Sequence, residues 1–150
     1  MTKPNLIAVH VIRYHFDQPE YLLIRRACNY LKGTWQMVTG KIENNEKAYE
    51  AAIRELEEEI GLTPTDFYSA DFTESFYFAP KDCIHFVIHF VAFVSGKDPI
   101  TLSPTEHDQY EWMPREKALQ HLCFSSQKVA LQQIHDNFVN KQPLTCLRIT

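Results

Sequence analysis

Apolar, β-branched and aromatic residues crowd the stretch from Leu6 to His15 (LIAVHVIRYH), a pattern that predicts a β-strand. Phe16-Asp17-Gln18-Pro19-Glu20 reads as a turn. Tyr21 to Ala27 (YLLIRRA) reads as a second strand, antiparallel to the first because so short a connection leaves no room for a crossover. A short extended piece covers Trp35 to Val38. The period then changes: Ala48, Ala51, Ala52 and Leu56 form an apolar stripe at helical spacing and predict a helix from about Glu46 to Ile60. Asn44-Asn45 suits a tight turn before it, since asparagine tolerates left-handed backbone. Gly61 suits a left-handed cap after it, and Pro64 discourages continuation.

Further along, Asp66 to Phe78 and Cys83 to Ser95 predict a hairpin around Ala79-Pro80-Lys81-Asp82. The second arm, CIHFVIHFVAFVS, is apolar enough for a central strand buried on both faces. His85 and His89 share parity and so share a face. With no third ligand nearby they read as hydrogen-bonded structural imidazoles. Gly96 to Thr105 is a loop and Tyr110 to Met113 a short strand. Pro114 can open a helix to His121. Ser125 or Ser126 caps a last helix, Gln127 to Asn140, with Val129, Ile134 and Phe138 on its apolar side. Lys141 to Thr150 adds an edge strand or frays. This order of elements predicts an α+β fold, a mixed sheet with helices packed on it, in one domain over residues 1–150.

Charge changes the picture at the end of the first helix. Glu55, Glu58 and Glu59 stand at i, i+3 and i+4, so three carboxylates share one face. Like charges so placed cost about 0.2–0.5 kcal/mol per pair, and the negative end of the helix dipole adds to the cost. An Arg54–Glu50 pair relieves only part of this. A divalent cation would relieve far more, because hard cations prefer oxygen ligands.

The whole stretch from Gly40 to Leu62, GKIENNEKAYEAAIRELEEEIGL, resembles the Nudix box, G-x5-E-x7-R-E-U-x-E-E-x-G-U with U aliphatic. Gly40, Glu46, Arg54, Glu55, Leu56, Glu58, Glu59, Gly61 and Leu62 fill every specified position. The resemblance implies a Nudix α/β/α sandwich and a Mg²⁺- or Mn²⁺-dependent hydrolysis of a nucleoside diphosphate linked to another group. It implies Glu58 and Glu59 as direct metal ligands, Glu55 completing the set and the Gly40 carbonyl as a further ligand. Arg54 would orient a glutamate such as Glu46 or Glu55 without touching substrate. Glu46 then reads as structural, and Glu57, at an unspecified position, as solvated.

Two segments outside the box narrow the resemblance. Trp35-Gln36-Met37-Val38-Thr39-Gly40 is similar to the W-Q-x-V-T-G lead-in of dihydroneopterin triphosphate pyrophosphohydrolases, and Thr105-Glu106-His107 with Trp112 is similar to their T-E-H-x5-W. On this likeness Glu106 joins the catalytic candidates as a general base, and Trp35, Gln36 and Thr39 join the substrate-binding ones. Arg25 and Arg26 present planar forks suited to phosphates, or are one inward and one outward strand residue. Trp35, Tyr77 or Phe78 could stack on a purine or pterin, or pack in the core. Lys41-Ile42-Glu43-Asn44-Asn45 lacks the glycine that commonly precedes the box glutamate. The substrate expected is dihydroneopterin triphosphate or a purine nucleoside triphosphate, cleaved to monophosphate and pyrophosphate. A dinucleoside polyphosphate or nucleotide-sugar hydrolase is the alternative. A non-catalytic nucleotide sensor, which would have lost box glutamates, is the reading from another class.

Composition bounds the partners. The 150 residues carry a formal net charge of −4, no footprint for nonspecific nucleic-acid binding. Cys28, Cys83, Cys123 and Cys146 are scattered, with no C-x-x-C pair, and read as thiols in a reducing compartment. No signal-peptide pattern and no span of about 20 apolar residues occurs, so a cytoplasmic protein without a membrane partner is expected. A homodimer is compatible with all of this.

Overall fold

The computed structural model describes Met1–Thr150. Seven strands, β1 (Leu6–His15), β2 (Gln18–Arg26), β3 (Trp35–Gln36), β4 (Val38–Lys41), β5 (Asp66–Phe78), β6 (Cys83–Phe93) and β7 (His107–Met113), form one mixed sheet. The helices are α1 (Ala48–Ile60), α2 (Arg115–His121) and α3 (Ser125–Ile134). Strand β1 sits at the centre. Its first half pairs with β4 and its second half with β2, both antiparallel, while its other edge pairs with β6 in parallel. Strand β5 flanks β6, and β7 flanks β2.

A strand central in a sheet covered on both sides needs apolar residues at both parities. β1 supplies them: Ile7, Val9 and Val11 pack with Ala51, Ala52, Leu56 and Ile60 of α1. Ala8 and Ile12, of the other parity, pack with Ala118 of α2, Leu131 and Ile134 of α3, and Phe138. The result is the expected three-layer α/β/α sandwich with a core on each face. Leu56 is fully buried, so Leu56→Ala costs about 2–5 kcal/mol by cavity formation.

Several boundaries differ from the sequence expectation. Helix α1 begins at Ala48, and Glu46 lies in the loop before it, where its side chain accepts a hydrogen bond from the Glu43 N–H. Glu50 does not pair with Arg54; it folds back to accept the Lys47 N–H at 2.9 Å and satisfies a donor at the helix start. Neither serine caps α3: the helix starts at Ser125 itself, and the Phe124 carbonyl before it accepts from Gln127 and Lys128. The regular α-helix ends at Ile134 and continues as a π-helical turn, His135–Val139. Val129 is exposed, and the buried face is Ala130, Leu131, Ile134 and Phe138. Strand β7 starts three residues early, at His107, because its partner β2 runs on to Arg26.

Strand β6 is buried on both faces only from Val87 to Ala92 apart from a half-buried Ile88. Its outer part projects with β5 as a two-stranded ribbon, leaving Phe76, Tyr77, Ile84 and Phe86 exposed. His89 is buried, accepting or donating 3.0 Å from His10 and 2.8 Å from Glu74, and His85 bonds Asn5. Both are therefore hydrogen-bonded imidazoles, as expected. The tail neither frays nor forms a strand: a 3-10 turn, Thr145–Leu147, leads to a bridge in which Phe67 exchanges hydrogen bonds with Ile149 and Thr150. No helix is long and apolar enough to cross a membrane.

Candidate functional site

Helix α1 ends on Gly61, at φ 72°, a left-handed conformation that glycine adopts without Cβ strain. Its N–H returns to the Glu57 carbonyl. The loop before β7 then wraps this helix end. Thr101 N–H donates to the Ile60 carbonyl at 2.9 Å and Ser103 N–H to the Glu59 carbonyl at 3.3 Å. Carbonyls that a helix end leaves without partners are thus capped by a distant segment. The same loop turns at Ser103, whose carbonyl accepts from both Glu106 and His107, and Ala27 N–H holds the Glu106 carbonyl. Capping the helix is what carries Glu106 and His107 to the glutamate face.

On that face Glu55 and Glu59 are buried and Glu58 is largely exposed, with Glu57 in solvent. Arg54 organises the group. Its Nε and Nη2 grip Glu46 at 2.7 and 3.0 Å, and Nη1 reaches Glu55 at 2.9 Å and Glu58 at 3.2 Å. Nη2 also donates to the Lys41 carbonyl at 2.9 Å, tying the helix to β4. The guanidinium holds Glu46 down to about 2. Burial pushes Glu55 up, against the pull of Arg54.

Glu59 meets a second group. Its Oε2 lies 2.8 Å from His107 Nδ1, both side chains being buried. The contact is short but bent out of hydrogen-bond alignment, and neither atom has another partner. His107 Nε2 lies 3.3 Å from the Gln36 amide nitrogen, which also donates to Thr39 Oγ1 at 3.3 Å. Glu106 shares a hydrogen bond with Glu59, and that contact, then burial, raises it to about 7. Burial pushes Glu59 up, but His107 and Glu106 outweigh it and leave Glu59 below the ordinary carboxylate value.

Three observations fit a divalent cation here. Glu59 Oε2 and His107 Nδ1 are buried polar atoms without aligned partners, a rare and costly state in a native interior. Ligand atoms of Glu59, Glu106 and His107 all lie within 4.8 Å of one another. A Cβ on Gly40 would collide with the Glu55 carboxyl group, so only glycine lets β4 and that carboxylate approach so closely. The donor set, mostly carboxylate oxygen, suits Mg²⁺ or Mn²⁺.

The sequence-predicted residues thus fall into two adjoining groups. Arg54, Glu46, Glu55, Glu58 and Gly40 form one, and Glu59, Glu106, Gln36 and Thr39 form the other. Of the two arginines, Arg25 is engaged by Asp108 through two parallel bonds at 2.8 and 2.9 Å. Arg26 donates to the Tyr30 carbonyl and to Cys28 Sγ, and its charge still reaches Glu59. Trp35 packs against the second core, edge-on to His121. Tyr77 is exposed and bonds Asp82, and Phe78 stands edge-on to Tyr30. His107 is the residue that sequence reasoning missed; its position beside Glu106 in Thr105-Glu106-His107 was the available signal.

The site is thus a carboxylate cluster at the end of the first helix of a three-layer α/β/α sandwich. The chain belongs to the Nudix family: the family profile described as NUDIX domain matches residues 4–134. Among curated relatives, it is 31% identical over 124 residues to an octanoyltransferase of Myxococcus xanthus, covering 79% of this chain and 33% of that protein. It is 31% identical over 109 residues to the putative nudix hydrolase 1 of Caenorhabditis elegans, covering 72% and 28%. The chain spans about a third of the length of these relatives. The structure of a putative NUDIX hydrolase from Listeria monocytogenes superposes with TM-score 0.79 at 25% identity, covering 92% of this chain and 96% of that one. The C. elegans Ap4A hydrolase binary complex gives 0.76 at 21% identity (89% and 96%). The E. coli dihydroneopterin triphosphate pyrophosphohydrolase gives 0.70 at 23% (93% and 100%).

Proposed function

We propose that this chain is a divalent-cation-dependent phosphoanhydride hydrolase of the cytosol, releasing pyrophosphate from dihydroneopterin triphosphate or a purine nucleoside triphosphate. The observation that carries this reading is the buried Glu59 Oε2, left without an aligned partner beside Glu106 and His107 at the end of the Nudix helix. When bound, Mg²⁺ or Mn²⁺ supplies Lewis-acid polarisation of the phosphoryl oxygens and neutralises charge on the substrate. Glu55, Glu58, Glu59 and the Gly40 carbonyl are the residues that would hold it. Arg54 fixes Glu55 and Glu58 in place and never needs to touch substrate. Glu106, at the exposed mouth of the cluster, takes the proton of the attacking water at its carboxylate. Gln36 and Thr39 line the approach from β3 and β4, with Trp35 beside them and Arg26 within electrostatic reach.

The W-Q-M-V-T-G and T-E-H segments favour the pterin or purine triphosphate. The likeness to an Ap4A hydrolase structure supports a dinucleoside polyphosphate as the second reading. A panel of dihydroneopterin triphosphate, dGTP, Ap4A and ADP-ribose, incubated with Mg²⁺ and scored for pyrophosphate against orthophosphate, separates them. Pyrophosphate release from the first two is expected; turnover of Ap4A alone would favour the second reading, and no turnover would refute hydrolysis.

A further inference from the structure

We propose that His107 is itself a cation ligand, binding through Nδ1 to a site shared with Glu59 and bordered by Glu106, and that this nitrogen makes the site prefer Mn²⁺, Co²⁺ or Zn²⁺ to Mg²⁺. The proposal rests on the cation-dependent reading above and adds a donor that the carboxylate set does not contain.

The geometry of the contact carries it. His107 Nδ1 and Glu59 Oε2 are 2.8 Å apart, both buried, and yet not aligned as a hydrogen bond. Two ligand atoms at right angles around an ion about 2.1 Å away stand about 3 Å apart, each pointing about 45° away from the other. A short, bent contact between two atoms with no other partner is what such a pair looks like. A simple ion pair would instead line the N–H up with the carboxylate.

Gln36 supplies the second requirement. For Nδ1 to offer its lone pair, the ring proton must sit on Nε2 and be accepted there. The Gln36 amide nitrogen stands 3.3 Å from Nε2 and 3.3 Å from Thr39 Oγ1, and a half-turn of the amide, which exchanges two nearly equivalent atoms, puts its oxygen there instead. Turned with its oxygen toward them, it accepts from both, because a threonine hydroxyl donates as readily as it accepts. A histidine ligand whose far nitrogen is held by a hydrogen-bond acceptor is a common arrangement in metal sites. Imidazole favours the later first-row metals, whereas Mg²⁺ gains little from exchanging an oxygen ligand for nitrogen.

The test uses the full chain and Mn²⁺ alone. Pulsed electron paramagnetic resonance of the Mn²⁺-loaded protein should show coupling to a histidine nitrogen, absent from His107→Asn. Calorimetric Mn²⁺ affinity should fall by about tenfold or more in that variant, with a smaller fall for Mg²⁺. Mn²⁺ bound without nitrogen coupling would overturn the nitrogen ligand and leave the carboxylate site standing. No Mn²⁺ binding at all would remove both. Should His107→Asn not fold, anomalous diffraction from Mn²⁺-soaked wild-type crystals decides. A peak about 2.2 Å from His107 Nδ1 supports the proposal, and a peak confined to the carboxylates overturns it.

Discussion

Arg54 grips the Glu46 carboxylate through two near-parallel hydrogen bonds, Nε to Oε2 at 2.7 Å and Nη2 to Oε1 at 3.0 Å, and so turns Nη1 toward Glu55 and Glu58. A lysine cannot reproduce that fork. Arg54→Lys should lower kcat by about 100-fold, the scale expected for misplaced groups, with a fall in melting temperature. Steady-state kinetics beside a thermal melt check this; unchanged kcat would show that Glu55 and Glu58 need no orienting partner.

Gly40 has no room for a side chain, since a Cβ would strike the Glu55 Cγ, Cδ and Oε1 atoms. Gly40→Ala should push that carboxylate aside, costing about 1–3 kcal/mol of stability by overpacking. Activity should drop more than the melt alone explains. Denaturant unfolding and cation affinity, measured together, separate the two effects.

Glu58 is exposed, so its replacement disturbs little packing. Glu58→Gln should leave stability within about 0.5 kcal/mol of wild type while activity falls about 100-fold or more. A near-full rate in this variant would remove Glu58 from the ligand set.

Glu106 is raised to about 7 from an ordinary 4.5, first by its hydrogen bond to Glu59 and then by burial. A carboxyl raised in the folded state stabilises the fold below its unfolded pKa, and that stability is lost as pH climbs through the folded pKa. Without divalent cation, the melting temperature of the wild type should therefore fall between pH 4.5 and 7 relative to Glu106→Gln. The same variant should lose about 10²–10⁴-fold in rate with Mg²⁺ present, the contribution typical of a general base. An unchanged rate would return Glu106 to an ordinary loop residue.

His10 is buried against His89, and burial, then the His89 charge, lowers it well below 6.5. A depressed histidine stabilises the fold above its unfolded pKa, and that stability is lost as pH falls below 6.5. His10→Leu should lower stability at pH 7 by about 1–3 kcal/mol, because His89 Nδ1 loses its partner. Its melting temperature should then fall less steeply than that of wild type from pH 7 to 5. Parallel melts at the two pH values check the slope.

Much of this was legible before the fold was known, and the reasons are local. The alanine stripe and Gly61 announce α1, because a helix writes its burial and its ending into adjacent residues. β1 announces burial on both faces by being apolar at both parities. What stayed hidden was long-range. Nothing in the order of residues says that Thr101 and Ser103 will cap the carbonyls of α1, yet that contact delivers His107 to Glu59. Arg54 was legible as the orienter of Glu46 or Glu55, and it binds both; its further bond to Glu58, with Glu50 folded back to the helix start instead, was not. The serine pair looked like a cap, but the helix starts at Ser125, ahead of the expected Gln127, which puts both serines inside its first turn.

On the function proposed above, the glutamate face of α1 works through a divalent cation. Hydrolysis of dihydroneopterin triphosphate or dGTP, followed first in chelator and then during titration with Mg²⁺, tests it most directly. Negligible rate in chelator, rising to saturation with added cation and abolished by Glu58→Gln, is the expected result. A rate undiminished by chelator, or indifferent to added cation, would contradict it.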